Sequence, residues 1–517
     1  MNKKIRDVDI LALINSLYFC FVWVAYFYVN ISSSTKLNLL LSIFIISVGY
    51  PFFKSLMALI RKINIKTYKK KSDKSIALVF IGTTLFVFAI LFLWWIAYYP
   101  GSFSKDSMKQ ISQAVSGSYN DWHPVWHTLL FFTFPLSLFK TPSAIIGLQI
   151  LYFSLILGYL SLTIYELSSL KLAVLVILYI IMNPYTGYMV LYPWKDVAFA
   201  MGGLLCTIIA IRFILLKRNT ITIWDLIIFS ELLVSTTLFR HNAILFTLPL
   251  VLVLFLHMDK KNCIVIALCS VCMLLVIRGI VYPSIGVEKP GNRVLESTGL
   301  PLTIIGNVAK ETPDLMDEEL SDFVYAIAPQ EQWQQNYRCG NFNVFKWSGV
   351  SLSLVEEEGY GGMLKLMTKC FLLSPQASVK ALLSLTDMVY GFETGLEGNV
   401  GAYIADNDFG IEYKNNRNQH LLYLITTYTS FINGTVFRYL RTYGVCLLVL
   451  LTVYLGKLNI KDTLSLKKAL IAVPIFSYDF GTMLFLTGAD SRFFFITFLV
   501  TPLLVFYVLY KGEEDNV

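Results

Sequence analysis

The sequence predicts an all-α polytopic membrane protein, with about twelve transmembrane helices, additional external surface helices and a mixed external domain. Three observations predict it. Of 517 residues, 56% are hydrophobic and only 15% are charged. The apolar residues gather in runs near the ~20 residues that carry a helix across a bilayer. Lys and Arg cluster in short segments between those runs, as they do in cytoplasmic loops. The formal net charge of +8 therefore reports membrane orientation, and no nucleic acid partner is expected.

The first apolar run follows Lys3, Lys4 and Arg6, lacks a small-residue cleavage site and continues through Trp23, Tyr26 and Tyr28. It reads as a retained span in the lipid bilayer and not as a signal peptide. The candidate spans are 10–29, 37–60, 76–99, 143–165, 172–190, 196–216, 223–239, 243–257, 262–282, 436–456, 469–487 and 492–510. They divide the chain into four parts: a two-helix extension with a basic loop (1–75), a membrane core carrying the first large external loop 100–142 (76–282), an external domain (283–435) and C-terminal membrane helices (436–517).

The apolar run 126–139 decides the topology. If it does not span, one side receives the N-terminus, Arg61 to Lys74, Lys217-Arg218, Lys260-Lys261, Lys457 to Lys468 and Lys511. That places about twenty basic residues in the cytoplasm, with both termini. If it spans, every later basic loop moves outside. The run is accordingly read as a surface or re-entrant helix, interrupted by Pro135. Residues 283–435 contain 18 Asp and Glu against 10 Lys and Arg, and 362–391 reads as a pair of interface-lying helices. Six of the eight Cys (Cys20, Cys206, Cys263, Cys269, Cys272, Cys446) lie in apolar runs. Cys339 and Cys370 share the external domain and would pair only if their geometry permits. No internal repeat is visible, which weakens an inverted-repeat transporter.

With this topology the unusual polar residues converge on the external face. Asp106 opens a helical stretch after Ser104, with Met108, Ile111, Ala114 and Val115 at helical spacing. It can serve as a general base, or merely offset the helix dipole. His123 and His127, four apart, would bind a divalent metal with a carboxylate such as Asp106, but Pro124 favours ordinary hydrogen bonding by the two rings. No cofactor is specified, and the metal is unknown. Asp121 completes the acidic pair of this loop. Lys195-Asp196 begins a span, where a helix N-terminus beside a cation suits a phosphate; a capping Asp with a snorkelling Lys is the bland reading. Arg240-His241-Asn242 and Asp490-Ser491-Arg492 sit at two further external turns. Lys195, Arg240 and Arg492 would clamp a lipid-linked phosphate, unless they only anchor helices.

Tyr99-Pro100-Gly101-Ser102-Phe103 with Asp106-Ser107 and Gln110, followed by His123-Pro124, resembles the class C (GT-C type) integral-membrane glycosyltransferases. It is most similar to a family of Gram-positive bacterial polytopic membrane proteins related to that class. The likeness covers roughly 98–130, 192–200 and 238–243. It implies a polyprenyl-phosphate-linked sugar as donor, an extracytoplasmic glycan, lipid or protein as acceptor, inversion at the anomeric carbon, and Asp106 as catalytic base. Asp196 matches a second acidic position. Two departures stand out: two extra spans precede the loop, and Lys105-Asp106 replaces an adjacent acidic pair, which leaves metal dependence open. Rival readings are an envelope polysaccharide polymerase or ligase, and a lipid or oligosaccharide transporter, for which Glu231 is the clearest charge at mid-depth.

Overall fold

The computed structural model describes residues 2–66, 71–215, 221–291, 294–393, 401–413, 418–488 and 490–511. Lys217-Arg218 of the predicted basic loops lies outside them. Among the described residues the chain is helical, with one two-residue parallel pairing of Ile65–Lys66 against Tyr510–Lys511.

The predicted spans fall on helical segments, because an apolar run must satisfy its backbone polar groups internally. Among the described residues, seven helices are long and apolar enough to cross a membrane, as in a multi-pass membrane protein: Asp9–Asn30 (within α1, Asn2–Asn30), α2 (Thr35–Lys62), α3 (Asp73–Ala97), Ser143–Leu167, Lys195–Leu215, Lys260–Ser284 and Ser491–Leu509. The number becomes eight if Leu170–Ile181 and Pro184–Val190, bent by 67°, form one broken span. The remaining predicted spans correspond to the shorter helices Ile223–Leu238, Ile244–His257, Tyr443–Lys457 and Val473–Met483.

Val125–Phe139 is a 15-residue apolar stretch, shorter than a straight crossing needs. Pro135 does not break it. A π turn at Leu129–Thr133 immediately precedes the proline and absorbs its missing N–H. Lys195–Leu215 is the most enclosed of the long helices. Gly203 allows this: a side chain there would overlap Ile496 Cδ1 on the last long helix.

A second hydrophobic core lies within 283–435. Leu302, Ile305 and Val308 of Gly299–Glu311 pack against Trp333, Phe342, Phe345 and Leu366. The expected mixture of structure is absent among the described residues of this segment, whose named elements are all helical. The expected interface-lying pair is Ser353–Leu373 and Pro375–Tyr390. The second of these joins the two cores, giving Ala377 and Ala381 to one and Leu385, Met388 and Tyr390 to the other. Cys339 and Cys370 are free thiols. Cys370 is buried in the second core, whereas Cys339 is bonded to Ser384.

The chain ends of α2, Tyr443–Lys457 and Ser491–Leu509 meet at one pole of the helical body. There Arg61 Nε donates to the Gly456 carbonyl at 3.1 Å, Lys457 Nζ to Asn64 Oδ1 at 3.0 Å, and Lys468 Nζ to the Tyr510 carbonyl at 3.5 Å. The opposite pole holds the acids and bases singled out above.

Candidate functional site

After α3 the chain turns through Gly101, which has φ +131° and whose missing side chain would collide with Ile146. Ser102 N–H then bonds the Leu191 carbonyl at 3.0 Å. Phe103 pairs with the 401–405 segment, its N–H on the Tyr403 carbonyl at 3.0 Å and its carbonyl accepting from Ala405 at 2.8 Å. The loop is thus pinned on both sides before its helix starts. The predicted surface helix is α4, Lys105–Ser116, capped by Ser104, whose Oγ accepts from the Ser107 N–H, and closed by Gly117 in the left-handed region. Trp194 Nε1 also donates to Ser104 Oγ at 2.8 Å, so the cap of α4 is tied to the residue before Lys195.

Asp106 stands in the first turn of α4, partly exposed, and Arg492 Nη1 donates to its Oδ2 at 3.4 Å. Burial raises the carboxyl's pKa, but Arg492, His123, Lys195 and Lys109 outweigh it, so the group is held below the usual carboxylate range.

Asp196 is fully buried at the start of Lys195–Leu215, bonded to Arg240 through one oxygen and 3.5 Å from Arg492 Nε through the other. Arg492 Nε also meets Asp490 Oδ2 at 2.8 Å, and the Arg492 backbone N–H donates to Asp490 Oδ1 at 3.2 Å. Arg240 is fixed further by Asn242 Oδ1 at 2.6 Å and by the Phe493 ring, 4.2 Å from its guanidinium carbon; Asn242 reaches Thr482 at 2.9 Å. Arg492 lies 5.0 Å from the Trp194 ring centroid. The predicted residues therefore do converge, but not as three free cations. Lys195, Arg240 and Arg492 face Asp106, Asp196 and Asp490, three charges against three. Lys195 is half-buried and makes no hydrogen bond or ion pair with any described residue. It stands at the first position of that helix, where the Val197 N–H is bonded to the Trp194 carbonyl at 2.9 Å.

The two loop histidines are buried, and no cluster of three His, Cys, Asp or Glu suited to a metal occurs among the described residues. His127 Nδ1 lies 2.9 Å from Gln110 Nε2, which also donates to Thr128. Burial, reinforced by Lys195, pushes His127 down to about 3. His123 is pushed down to about 4, first by burial, and neither ring nitrogen has a hydrogen-bond partner. Asp121 Oδ1 accepts the Val125 N–H at 3.3 Å and so starts the next helix. His241 is exposed, with Nε2 3.3 Å from the Trp122 carbonyl.

Several contributors carried no chemical signal in the sequence. Tyr192 stacks on Trp194 at 4.0 Å, donates to the Gly401 carbonyl at 2.6 Å and accepts from Tyr403 N–H at 2.9 Å. Gln149 holds the Val190 and Tyr192 carbonyls at 2.8 and 2.7 Å. Tyr403 lies within electrostatic range of Arg492 and Asp106, which brings the 283–435 segment to the rim of the site. Asp479, unremarked in the sequence, is fully buried, accepts from Thr497 at 2.7 Å and leaves its second oxygen unpaired. Glu231, by contrast, lies on an exposed face.

No protein-family model, no curated protein and no solved structure matches this chain.

Proposed function

We propose that the protein is a membrane glycosyltransferase that moves a sugar from a polyprenyl-phosphate donor to an extracytoplasmic acceptor. The observation that carries this reading is the meeting of a partly exposed carboxylate, Asp106, with Arg492 and an uncommitted Lys195 at a helix N-terminus. In the proposed reaction Asp106 accepts the proton of an acceptor hydroxyl while that oxygen attacks the anomeric carbon from the side opposite the phosphate. The bond to the phosphate oxygen breaks with its electron pair. Lys195 then receives the growing negative charge, joined by Arg492. An arriving phosphate draws Arg492 and Lys195 away from Asp106. Its pKa rises as that pairing weakens, towards the range in which a base is efficient. Donor binding would thus switch on the base. Asp196, locked between two guanidinium groups, is a scaffold in this scheme.

We further read the four shorter helices as spans, each extended by its flanking turns, for about twelve in all and with both termini in the cytoplasm. The gathering of Arg61, Lys457, Lys468 and Lys511 at the pole opposite Asp106 supports this orientation. The transporter alternative calls for charge along an interior path, whereas Glu231, the clearest mid-depth charge in the sequence, lies on an exposed face. An envelope polymerase or ligase would consume a lipid diphosphate oligosaccharide, so the donor's chemical form separates it from the present reading.

The test is Asp106→Asn, assayed in membranes supplied with lipid-linked sugars. Loss of a positioned base should lower transfer by about 10²- to 10⁴-fold. Undiminished transfer at normal expression would remove Asp106 from the mechanism.

A further inference from the structure

Asp106, Lys109 and Gln113 recur at three- and four-residue spacing along one face of α4. Beyond Asp106 that face borders a cavity of about 320 Å³, lined by Lys109, Ser112, Gln113, Asn120, Trp122 and His123. The lining contains one cation, no carboxylate, and an indole that is 37% exposed. Two of its polar groups are orphans: both nitrogens of His123, which is 3% exposed, and Gln113 Oε1 have no partner. Leaving a buried polar group unpaired costs free energy that an incoming hydroxyl would recover. The turn itself is firmly built. Asn120 Oδ1 accepts the Trp122 N–H at 2.9 Å, Gln113 Nε2 donates to the Asn120 carbonyl at 3.3 Å, and Tyr119 and Asp121 pair with Glu288.

We propose that this cavity is the acceptor subsite and that its occupant is a carbohydrate, neutral or anionic, whose hydroxyl is presented to Asp106 one helical turn away. The inference rests on the transferase reading for its assignment to the acceptor, but the binding itself does not. A flat apolar ring face stacks on Trp122, as aromatic side chains accommodate sugars through their C–H faces. The ring hydroxyls meet an amide, a hydroxyl, an ammonium and a neutral imidazole, which can donate from one nitrogen and accept at the other. The volume lies at the small end of small-molecule sites, about 300 to 1,000 Å³, and fits a group of monosaccharide size better than a folded protein segment. Lys109 further selects against cationic sugars.

The experiment is saturation-transfer NMR on the full chain in phosphatidylcholine nanodiscs, free of sugar detergents. The probes are methyl β-glucoside, methyl β-glucuronide and a Ser-Thr-Ser tripeptide. Binding of either glycoside, weakened at least fivefold by Trp122→Ala and by Lys109→Ala, supports the proposal. Lys109 lies on an exposed helix position, so its replacement tests the site even if the Trp122 variant misfolds. Absence of glycoside binding, binding indifferent to both changes, or a tripeptide signal that depends on Trp122 would overturn it. No donor is present in this assay, so a failure of Asp106 as base would leave its outcome untouched.

Discussion

Asp106 and Asp196 both bond Arg492, yet the geometry assigns them opposite consequences on replacement by Asn. Asp196 has no exposed side-chain surface and its partner Arg240 only 9%. Asp196→Asn would leave two buried guanidinium groups facing one carboxylate fewer, changing three charges against three into three against two. Removing one partner of a buried pair costs about 3–5 kcal/mol, because the stranded charge cannot recover its hydration. Asp106 is 35% exposed and meets Arg492 at 3.4 Å, so screening by solvent reduces its share to roughly 0–1 kcal/mol. Thermal unfolding in detergent, followed by fluorescence-detected size exclusion, separates the two. At about 2 °C per kcal/mol for a large chain, Asp196→Asn should lower the midpoint by roughly 6–10 °C, while Asp106→Asn should stay within about 2 °C of wild type and lose transfer. Equal midpoints for the two variants, or a larger loss for Asp106→Asn, would refute the division into scaffold and base.

Lys195→Met breaks no ion pair and should leave the midpoint unchanged while raising the KM for a lipid-linked donor about tenfold or more, read from transfer at varied donor concentration. The two buried imidazoles titrate below their unfolded value of about 6.5, at about 4 for His123 and about 3 for His127. The unfolded chain therefore binds more protons between those limits. Their contribution is complete above pH 6.5 and is lost as the pH falls, by roughly 1–2 kcal/mol per ring at pH 5. Midpoints measured from pH 7.5 to 5 should decline, and less steeply in His127→Gln. Gly203→Val, which would drive a side chain into Ile496, should destabilise by about 1–3 kcal/mol, seen as a lower midpoint with the donor KM unchanged in the folded fraction.

The helical positions were legible because apolar runs and bilayer thickness share one length scale. Charged residues at the ends of apolar runs, such as Asp106 and Arg492, were legible for a related reason: a charge beside a span has few places to go. What was hidden was pairing. Nothing in Lys195-Asp196 reveals that Asp196 turns inward to two arginines while Lys195 stays uncommitted, because neighbouring residues on a helix point about 100° apart and only the tertiary fold selects the inner one. Nor did Tyr403 carry any sign of reaching the site, since its placement depends on main-chain bonds between Phe103 and Ala405. Asp479 was passed over in favour of Glu231 because a sequence gives depth in the membrane but not the direction a side chain faces.

The pairing of Asp106 with Arg492 joins residues 386 positions apart. At a synthesis rate of about 5–20 residues per second, the loop bearing Asp106 would be complete roughly 20–80 seconds before its partner leaves the ribosome. During that interval Asp106, Asp196 and Arg240 would have to be tolerated at the membrane surface without Arg492, and for most of it the Gly101 to Ser104 turn would lack the strand-like cover of residues 401–405. Maturation of this pole is therefore a late event, gated by insertion of the final membrane helix. A nascent chain arrested before that helix would carry nearly all the membrane body and both members of the Asp196–Arg240 pair, but not the arginine that meets Asp106.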